Sequence, residues 1–445
     1  MRIMLIEPPF HSFMQYDRWY YPGALAQLAS MVHAEGHEVV IYDPDKYFYK
    51  DPLNKQRSIF LQKQSLYYDN VDNFDHEVWI HFLKILANYN PDIVGISIYT
   101  CKLKSALNTA KLVRYFNQYI KICVGGAHAT ATPQILISYD DIDAVFTKYA
   151  DISFPKWISD GCPKGIIEGS FCNNIDIQNI PYARRQSLLF PDNYTKKDLG
   201  LLMAGRGCSG CCTFCSNSFM CSGKPKLRST ESISAELTEL SDLWNCSFIL
   251  IGNDSISDNI DVSKKIASMI HERDMSWEGN ARWTTVEKDL FEYYLLNGCS
   301  RISIGLESGS NKILKYIRKG VNKNLIRRKS SILNELGIHW RLFCVVGFPI
   351  ETIDDMRETM DFVLELNPTS VSLNSLAPLP GTEVYSDIPG MTLEIASNVN
   401  QLYAKYCFSK HMDLDEFKEM FIKMTEVFDR NINNVVGKSY EPDLK

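Results

Sequence analysis

The chain has 445 residues and a net charge of −6 at pH 7, with 45% hydrophobic and 22% charged residues. This composition is typical of folded globular proteins and excludes collagen-like or disordered chains, while the acidic balance argues against nucleic-acid binding. No run of about 18 apolar residues occurs, so the sequence predicts no membrane span. The first segment is typical of a buried strand rather than an export signal. In a chain without such a signal, an odd number of cysteines, 13, predicts that the protein resides in the reducing cytoplasm. In that compartment, clustered cysteines bind metal more often than they form disulfides.

The first 150 residues alternate predicted strands with predicted helices. Short apolar runs predict strands over residues 2–7, 37–42, 92–100, 120–124 and 143–146. Apolar residues at three- and four-residue spacing predict helices over residues 21–35, 78–89 and 104–118. Residues 45–75 are interpreted as a loop or an insertion, and residues 151–198 as a connector between domains. The alternation predicts a doubly wound, Rossmann-like parallel sheet over residues 1–150, which would bind ligands beyond the carboxyl ends of its strands.

A second series of strands and helices begins at residue 199. Predicted strands cover residues 199–204, 247–251, 276–283, 300–307, 339–346 and 370–376. Six strand–helix units after a separate α/β domain predict a partial (β/α)6 barrel over residues 199–382, with its site at the carboxyl ends of the strands. Residues 383–445 are amphipathic and are predicted to form a small helical region.

Three cysteines follow the first predicted barrel strand at C-x3-C-x2-C spacing: Cys208, Cys212 and Cys215. Three thiolates this close can hold three irons of a four-iron, four-sulfur (4Fe-4S) cluster and leave the fourth iron open to an external chelator. A zinc site that adds Cys211 is the alternative, although zinc ribbons separate their cysteine pairs by about 15–20 residues. Cys211 and Cys221 are interpreted as non-ligands, with Cys211 offering an alternative register.

The segment from Gly205 to Cys215 resembles the signature of the radical S-adenosylmethionine (SAM) superfamily, including the aromatic Phe214 before the last cysteine. The resemblance extends from about residue 199 to residue 380. It implies that the open iron binds SAM, which the reduced cluster cleaves to methionine and a 5′-deoxyadenosyl radical. It also implies an external electron donor such as flavodoxin or ferredoxin.

The resemblance assigns SAM-binding roles to residues at the ends of the second and third barrel strands. Asn253 and Asp254 match the segment that binds the SAM ammonium group, although Asp254 would equally suit a cap of the next helix. Arg282 matches a partner of the SAM carboxylate, with a solvated arginine as the alternative.

Three further matches lie at the ends of the last three barrel strands. Glu307 stands between glycines and is similar to the family's ribose motif, in which the carboxylate accepts a hydroxyl hydrogen bond. Gly347 begins a glycine–proline turn that lies near adenine in the family, and that is also a plain strand-to-helix turn. Leu376 begins the segment whose backbone groups meet adenine. Each match is weak alone, and their order along the chain is what identifies the family.

Residues 1–150 resemble the cobalamin-binding domain that precedes the barrel in many radical SAM enzymes. Ser97 and Thr100 follow one strand, and Gly125, Gly126 and His128 follow the next, as in that family. Small residues there would admit the nucleotide tail of cobalamin, and His128 would contact the corrin or cap a turn. The alternative is a Rossmann-like domain that binds no cofactor.

Two departures from the cobalamin-binding pattern concern specific segments. The Asp-x-His-x-x-Gly motif is absent, and residues 51–55 contain no histidine, so cobalamin is expected without a histidine lower ligand. Relatives often carry Gly-Glu-Gly-Glu after the fifth strand, where this chain has Thr147, Lys148, Tyr149 and Ala150. Residue roles in this stretch therefore cannot be carried over from the family.

The leading hypothesis is a cobalamin-dependent radical SAM enzyme that methylates an unactivated carbon of a small molecule or peptide. A second hypothesis keeps the fold and the cluster but assigns cyclisation, rearrangement or epimerisation, with cobalamin not acting as a methyl carrier. A third is a zinc- or cluster-bearing sensor without turnover. Substrate identity depends on side chains and loops at the barrel mouth, which follow no general sequence rule.

Overall fold

The computed structural model describes residues 1–15, 20–48, 65–171, 174–221, 225–399, 401 and 404–434. The histidine-free residues 51–55 lie outside these ranges. The described chain folds around two parallel sheets, the first in the amino-terminal part and the second in the predicted barrel.

The first sheet has six parallel strands in the order β2-β1-β3-β4-β5-β6. Its strand order reverses between β1 and β3, so a crevice opens there beyond the carboxyl ends of the strands. In chain order the strands are β1 (Arg2–Ile6), β2 (Glu38–Tyr42), β3 (Ile93–Ser97), β4 (Lys121–Gly125), β5 (Ala144–Thr147) and β6 (Gly165–Glu168).

Helices flank this sheet where the apolar spacing predicts them. The His76 side chain accepts a hydrogen bond from the Val78 amide at the start of the second helix, and Asn90 ends it in a left-handed conformation, with φ at 47°. The helices are α1 (Gly23–Ala34), α2 (Glu77–Tyr89), α3 (Leu103–Phe116), α4 (Ala127–Ala131), α5 (Pro133–Ile137), α6 (Ser153–Ser159) and the short Pro44–Tyr47.

The first sheet continues past the boundary predicted at residue 150. Strand β6 pairs with β5 in parallel, and α6 connects the two. The stretch predicted as a connector therefore begins with one more strand–helix unit, which its four-residue strand and mixed composition conceal. We propose that the first domain ends after Glu168.

The second sheet has seven parallel strands in the order β15-β14-β13-β12-β11-β10-β7, and a separate antiparallel pair joins β8 to β9. Strand β15 comes from the region predicted as helical, and it pairs with β14. The strands are β7 (Leu201–Leu202), β8 (Gly205–Arg206), β9 (Lys226–Leu227), β10 (Phe248–Ile251), β11 (Ser276–Ala281), β12 (Cys299–Glu307), β13 (Trp340–Val346), β14 (Ser370–Ser375) and β15 (Asn433–Asn434).

Helices cover the outer face of this sheet, as in a partial barrel. A reciprocal hydrogen-bonded cap between Thr352 and Asp355 starts one of them, and Asn367 ends it directly before Pro368. The longer helices are α7 (Thr230–Asp242), α8 (Ile260–His271), α9 (Lys288–Leu296), α10 (Asn311–Tyr316), α11 (Lys323–Glu335), α12 (Ile353–Leu366), α13 (Leu393–Ser397) and α14 (Leu414–Asn431). Single turns of helix occur at Lys196–Leu199, Asn217–Met220 and Glu383–Ser386, and 3₁₀ turns at Thr100–Lys102, Ile177–Asn179, Arg185–Ser187, Pro191–Asn193 and Trp283–Thr285.

One hydrophobic core cluster extends from the first domain into the barrel. It joins Leu5 and Tyr21 to Leu202 and Ile251, and the Tyr21 hydroxyl donates to the Leu201 carbonyl at 3.0 Å. The two domains are therefore fixed side by side. None of the helices in the described parts of the chain is both long and apolar enough to cross a membrane.

Candidate functional site

The three predicted cluster cysteines lie on the loop that leaves β8. Cys208, Cys212 and Cys215 are partly buried, whereas Cys211 is exposed. The Gly210 amide donates to Cys208 Sγ at 3.3 Å, and a Cβ on Gly210 would lie 3.4 Å from Cys208 Sγ and 3.8 Å from Cys212 Sγ. These two thiols therefore converge on one side of Gly210, which keeps the space between them free.

The donor chemistry of this loop fits an iron–sulfur cluster. Burial raises the pKa of the three thiols, that of Cys215 to about 11, so cluster assembly displaces their protons. Among the described residues, no three Cys, His, Asp or Glu side chains converge on a single metal ion. A four-iron cluster does not need such convergence, because each thiolate binds a different iron.

Arg282, at the end of β11, contacts the cysteine loop. Its Nη1 donates to the Ser209 hydroxyl, which in turn donates to Asp258 Oδ2 at 3.0 Å. Arg282 Nη1 also lies 3.9 Å from Asp258 Oδ2. The side chain is therefore held beside the cluster loop rather than free in solvent, which keeps a positive charge next to the predicted SAM site.

The two residues after β10 differ in what they do. Asn253 is buried and accepts a hydrogen bond from the Gly205 amide at 2.9 Å, so it fixes the strand that leads into the cysteine loop. Asp254 lines the cavity between the domains, and burial raises its pKa. The helix cap considered for Asp254 is wrong, because Asn259 caps the next helix, α8.

Glu307 forms a buried ion pair with a lysine that the sequence patterns do not identify. Lys319 Nζ lies 2.7 Å from Glu307 Oε1, and Glu307 has a φ of 66°. A Cβ on Gly305 would lie 2.1 Å from that oxygen and 2.6 Å from Nζ, so a larger residue there would displace the ion pair from its present position. Burial lowers the pKa of Lys319, but Glu307 and then Cys212 outweigh it and raise the pKa. Lys319 therefore lies within electrostatic range of the cluster loop.

The turn after β13 touches the cysteine loop through aromatic rings. The ring of Phe348 lies edge-on to that of Phe214, with centroids 5.8 Å apart. Gly347 has a φ of 95° and its amide donates to Glu351 Oε2 at 2.5 Å. Burial raises the pKa of Glu351 to about 8, so this carboxyl is protonated in much of the population at neutral pH. The turn predicted near adenine is therefore fixed by hydrogen bonds between its own backbone amides and Glu351.

Leu376 follows β14 and is buried. Its amide donates to the Val346 carbonyl at 2.8 Å, which extends the pairing of β13 and β14 to the sheet edge. This contact fixes the backbone at the predicted adenine position, and the side chain belongs to the core.

A cavity of about 310 Å³ lies between the two domains, where the crevice of the first sheet faces the barrel. Ser97, Gly125 and Gly126 line it from the first domain, and Arg206 and Asp254 line it from the barrel. At the first sheet the cavity wall combines the bare backbone of these glycines with apolar side chains such as Leu5, Ile96 and Phe146. The glycines leave room for a bulky cofactor tail against an apolar wall. These residues fit cobalamin.

The loop after β5 joins the first domain to the cluster loop. Lys148, Tyr149 and Ala150 line the cavity at the place where relatives carry Gly-Glu-Gly-Glu. The next residue, Asp151, binds Arg206 through two contacts of 2.5 and 2.7 Å, and Arg206 also lies over the Tyr149 ring. Burial lowers the pKa of the Arg206 guanidinium, but Asp151 outweighs it and raises the pKa.

His128 and Thr100 lie behind the cavity wall. His128 Nδ1 is 3.1 Å from the Thr100 hydroxyl, and both residues are buried. Burial lowers the pKa of His128 to about 4, so the ring is neutral at pH 7, and its Nε2 has no hydrogen-bond partner in the described chain. A Cβ on Gly126 would lie 2.9 Å from the Ile98 carbonyl oxygen, so backbone packing also requires this glycine.

Sequence reasoning missed Lys319, Asp258, Asp151 and Glu351. Lys319 and Asp258 act through partners on other loops, and no spacing rule connects them. Arg206 adjoins the cysteine motif, but its partner Asp151 comes from the other domain. Glu351 lies in the turn that Gly347 begins, and a buried acid that accepts from the amides of its own turn is recognisable only from the folded backbone.

Two family models match the chain. The radical SAM superfamily matches residues 202–363, and the B12-binding domain matches residues 60–156. A protein named as an uncharacterized methyltransferase in Pyrococcus horikoshii is 27% identical over 409 residues, covering 86% of this chain and 82% of the relative. The cytidylyl-2-hydroxyethylphosphonate methyltransferase of Streptomyces wedmorensis is 23% identical over 444 residues, covering 86% and 80%.

The fold also matches a solved structure. The radical SAM methyltransferase TsrM from Kitasatospora setae, with cobalamin and a 4Fe-4S cluster bound, has a TM-score of 0.67 to this chain at 13% identity. The match covers 100% of this chain and 93% of that structure. At this identity the likeness shows the fold alone, an α/β domain followed by a partial barrel.

Proposed function

We propose that this chain, which belongs to the cobalamin-dependent radical SAM enzymes, transfers a methyl group to an unactivated carbon of a small molecule or peptide. The observation that carries the proposal is the cavity between the domains. Residues of the first sheet's crevice and residues beside the cysteine loop line the same space. A substrate in or next to that space would meet both cofactor sites.

The bound cofactors supply the two reactivities that this reaction needs, a radical that removes hydrogen from carbon and a methyl donor for the carbon that remains. The chain holds and orients these groups. Cys208, Cys212 and Cys215 hold three cluster irons, and Arg282 offers a guanidinium beside them for the SAM carboxylate. Glu307, fixed by Lys319, offers its carboxylate to a ribose hydroxyl.

The first domain is proposed to bind cobalamin without a histidine below the cobalt. Ser97, Gly125 and Gly126 present small groups to the cavity, whereas His128 is engaged with Thr100 behind the wall. An external one-electron donor such as flavodoxin or ferredoxin completes the proposed system.

The test is isotope transfer by the reconstituted holoenzyme. With methyl-deuterated SAM, a reductant and a metabolite extract as the substrate source, the product should carry one labelled methyl group. S-adenosylhomocysteine and 5′-deoxyadenosine should accumulate together, since the proposed reaction consumes SAM in two ways. Mass spectrometry measures all three products.

The Cys212→Ala variant is the control, because it should abolish 5′-deoxyadenosine and label transfer together. The proposal fails if 5′-deoxyadenosine forms alongside an altered product that carries no label. That outcome would favour the cyclisation, rearrangement or epimerisation hypothesis.

A further inference from the structure

The interior of the barrel is accessible along β13. Trp340 faces the outer helices, since its Nε1 donates to Asn334 on α11 at 3.0 Å. Neighbouring residues of a strand point to opposite faces, so Arg341 faces the barrel interior. Burial alternates accordingly along the strand: Arg341, Phe343 and Val345 are partly exposed, and the residues between them are buried. The inner face of β13 is therefore only partly covered, and the space along it is called the channel below.

The channel carries an excess of positive charge near the amino ends of its strands. On β11 and β12, Glu278 and Arg301 form an ion pair, with side chains 9% and 13% exposed. Arg341 on β13 lies next to this pair, close enough for Arg301 to act on its charge. Two guanidinium groups thus lie near one carboxylate, which forms its ion pair with Arg301.

Arg341 has no acceptor of its own. No hydrogen bond or ion pair joins its side chain to any residue in the described ranges, and its Nε is buried without a partner. The Nε of Arg301 is also buried and unpaired. Guanidinium groups have only donors, and leaving a charged donor buried without an acceptor is costly. Burial and the neighbouring Arg301 lower the pKa of Arg341 to about 10, which still leaves it charged at neutral pH.

We propose that Arg341 binds the anionic end of the substrate, a carboxylate or a phosphate group, inside the barrel. The inference rests on the proposed function, in which the substrate meets the groups beside the cluster loop, and it extends the substrate from there into the barrel. A planar guanidinium with free donors matches both oxyanions, and Arg301 adds charge beside it.

The position of Arg341 also limits the shape of the substrate. Arg341 lies five positions before Val346 at the carboxyl end of β13, which corresponds to about 17 Å of strand. Phe343 and Val345 line the channel in between. A substrate that meets Arg341 at one end and the cluster loop at the other is elongated, with an apolar stretch between its anion and its reacting carbon.

Calorimetric titration of the full-length protein with inorganic phosphate and with acetate tests the proposal. The unaltered protein should bind at least one of them, with a dissociation constant that rises tenfold or more in Arg341→Met and less in Arg341→Lys. The exposed Arg357→Gln serves as the matched control and should bind like the unaltered protein. Preference for phosphate would identify a phosphorylated substrate, and preference for acetate a carboxylate.

Thermal unfolding separates ligand binding from a structural role. Removing a charged side chain whose Nε is buried without an acceptor should raise the unfolding midpoint of Arg341→Met, whereas loss of a structural arginine would lower it. The inference is overturned if the unaltered protein binds neither anion or if Arg341→Met binds as well as it does. Because the titration needs no turnover, that failure is distinct from a failure of methyl transfer.

Discussion

The carboxyl edges of the two sheets differ in the side chains that they present to the proposed ligand sites. At the first sheet, charged residues neutralise one another away from the cavity: Lys102 Nζ lies 2.8 Å from Glu7 and 3.2 Å from Asp45. Burial raises the pKa of Asp45, but Lys102 and His11 outweigh it and hold the pKa well below its usual value. The glycines at the end of β4 line the cavity there together with apolar side chains such as Leu5, Ile96 and Phe146.

At the barrel edge, by contrast, reactive and charged groups face the site. The cysteine loop, Arg282 and the Glu307–Lys319 pair all lie at the ends of its strands. We therefore propose that the first sheet holds its ligand mainly by shape and the barrel holds its ligands by metal coordination and charge. Substitutions at the two edges should therefore affect different properties of the protein.

The largest effect is expected at the cysteines. Replacing Cys208, Cys212 or Cys215 by Ala should abolish the brown absorbance and reduce the iron content from about four per chain, since each thiolate holds its own iron. Iron analysis after anaerobic reconstitution measures this. Cys211→Ala is the matched control and should keep the cluster, and a variant set in which Cys211 is essential while Cys212 is dispensable would overturn the register.

The Glu307–Lys319 pair is expected to have the next largest effect. Lys319→Met leaves a buried carboxylate without its cation, which should lower the free energy of unfolding by about 3 kcal/mol. Urea denaturation measures the change. The exposed Lys315→Met is the control, and adding Glu307→Gln to Lys319→Met should recover part of the loss. Equal stability of Lys319→Met and Lys315→Met would show that the Glu307–Lys319 pair does not stabilise the fold.

The smallest effect on stability is expected at the glycine edge, where two neighbours can be compared. Gly126→Ala places a Cβ 2.9 Å from the Ile98 carbonyl oxygen at a φ of 106°, and should lower the free energy of unfolding by ~1–3 kcal/mol. Gly125→Ala makes only an ordinary contact, 3.6 Å from Phe146 Cβ, and should unfold almost like the unaltered protein. Denaturation measures both.

Cobalamin binding sharpens the same comparison, because both glycines line the cavity. Gly125→Ala should weaken cobalamin binding without loss of stability, as measured by retained cobalamin absorbance after gel filtration. Undiminished binding in this variant would contradict the view that the first sheet holds its ligand by shape.

The sequence predicts most strands of the barrel because each carries an apolar run that ends in a recognisable group. β12, for example, was expected over residues 300–307 and forms over Cys299–Glu307. The predictions missed β6 and β15, since four and two residues at a sheet edge carry too little pattern to identify a strand. Edge strands are thus defined by their partner rather than by their own residues.

Within the site, the sequence predicts residues that belong to a local motif and not those that act through distant partners. Cys208 and Cys212 are recognised by spacing, and the structure brings both to Gly210. Lys319 has an ordinary surface-lysine context in the sequence, and only the fold of β12 puts it over Gly305. That Arg341 meets no acceptor within the described parts of the chain is likewise a property of three adjacent strands together.

The contact between Asp151 and Arg206 has a mechanical consequence. The two residues form two charge-assisted hydrogen bonds between the first domain and the barrel, next to the hydrophobic core that both domains share. Rotating the two domains apart would break both hydrogen bonds at once and separate the buried Asp151 carboxylate from the Arg206 guanidinium. The molecule is therefore expected to behave as one stiff body, in which entry and exit of ligands depend on displacements of individual loops rather than on hinge opening.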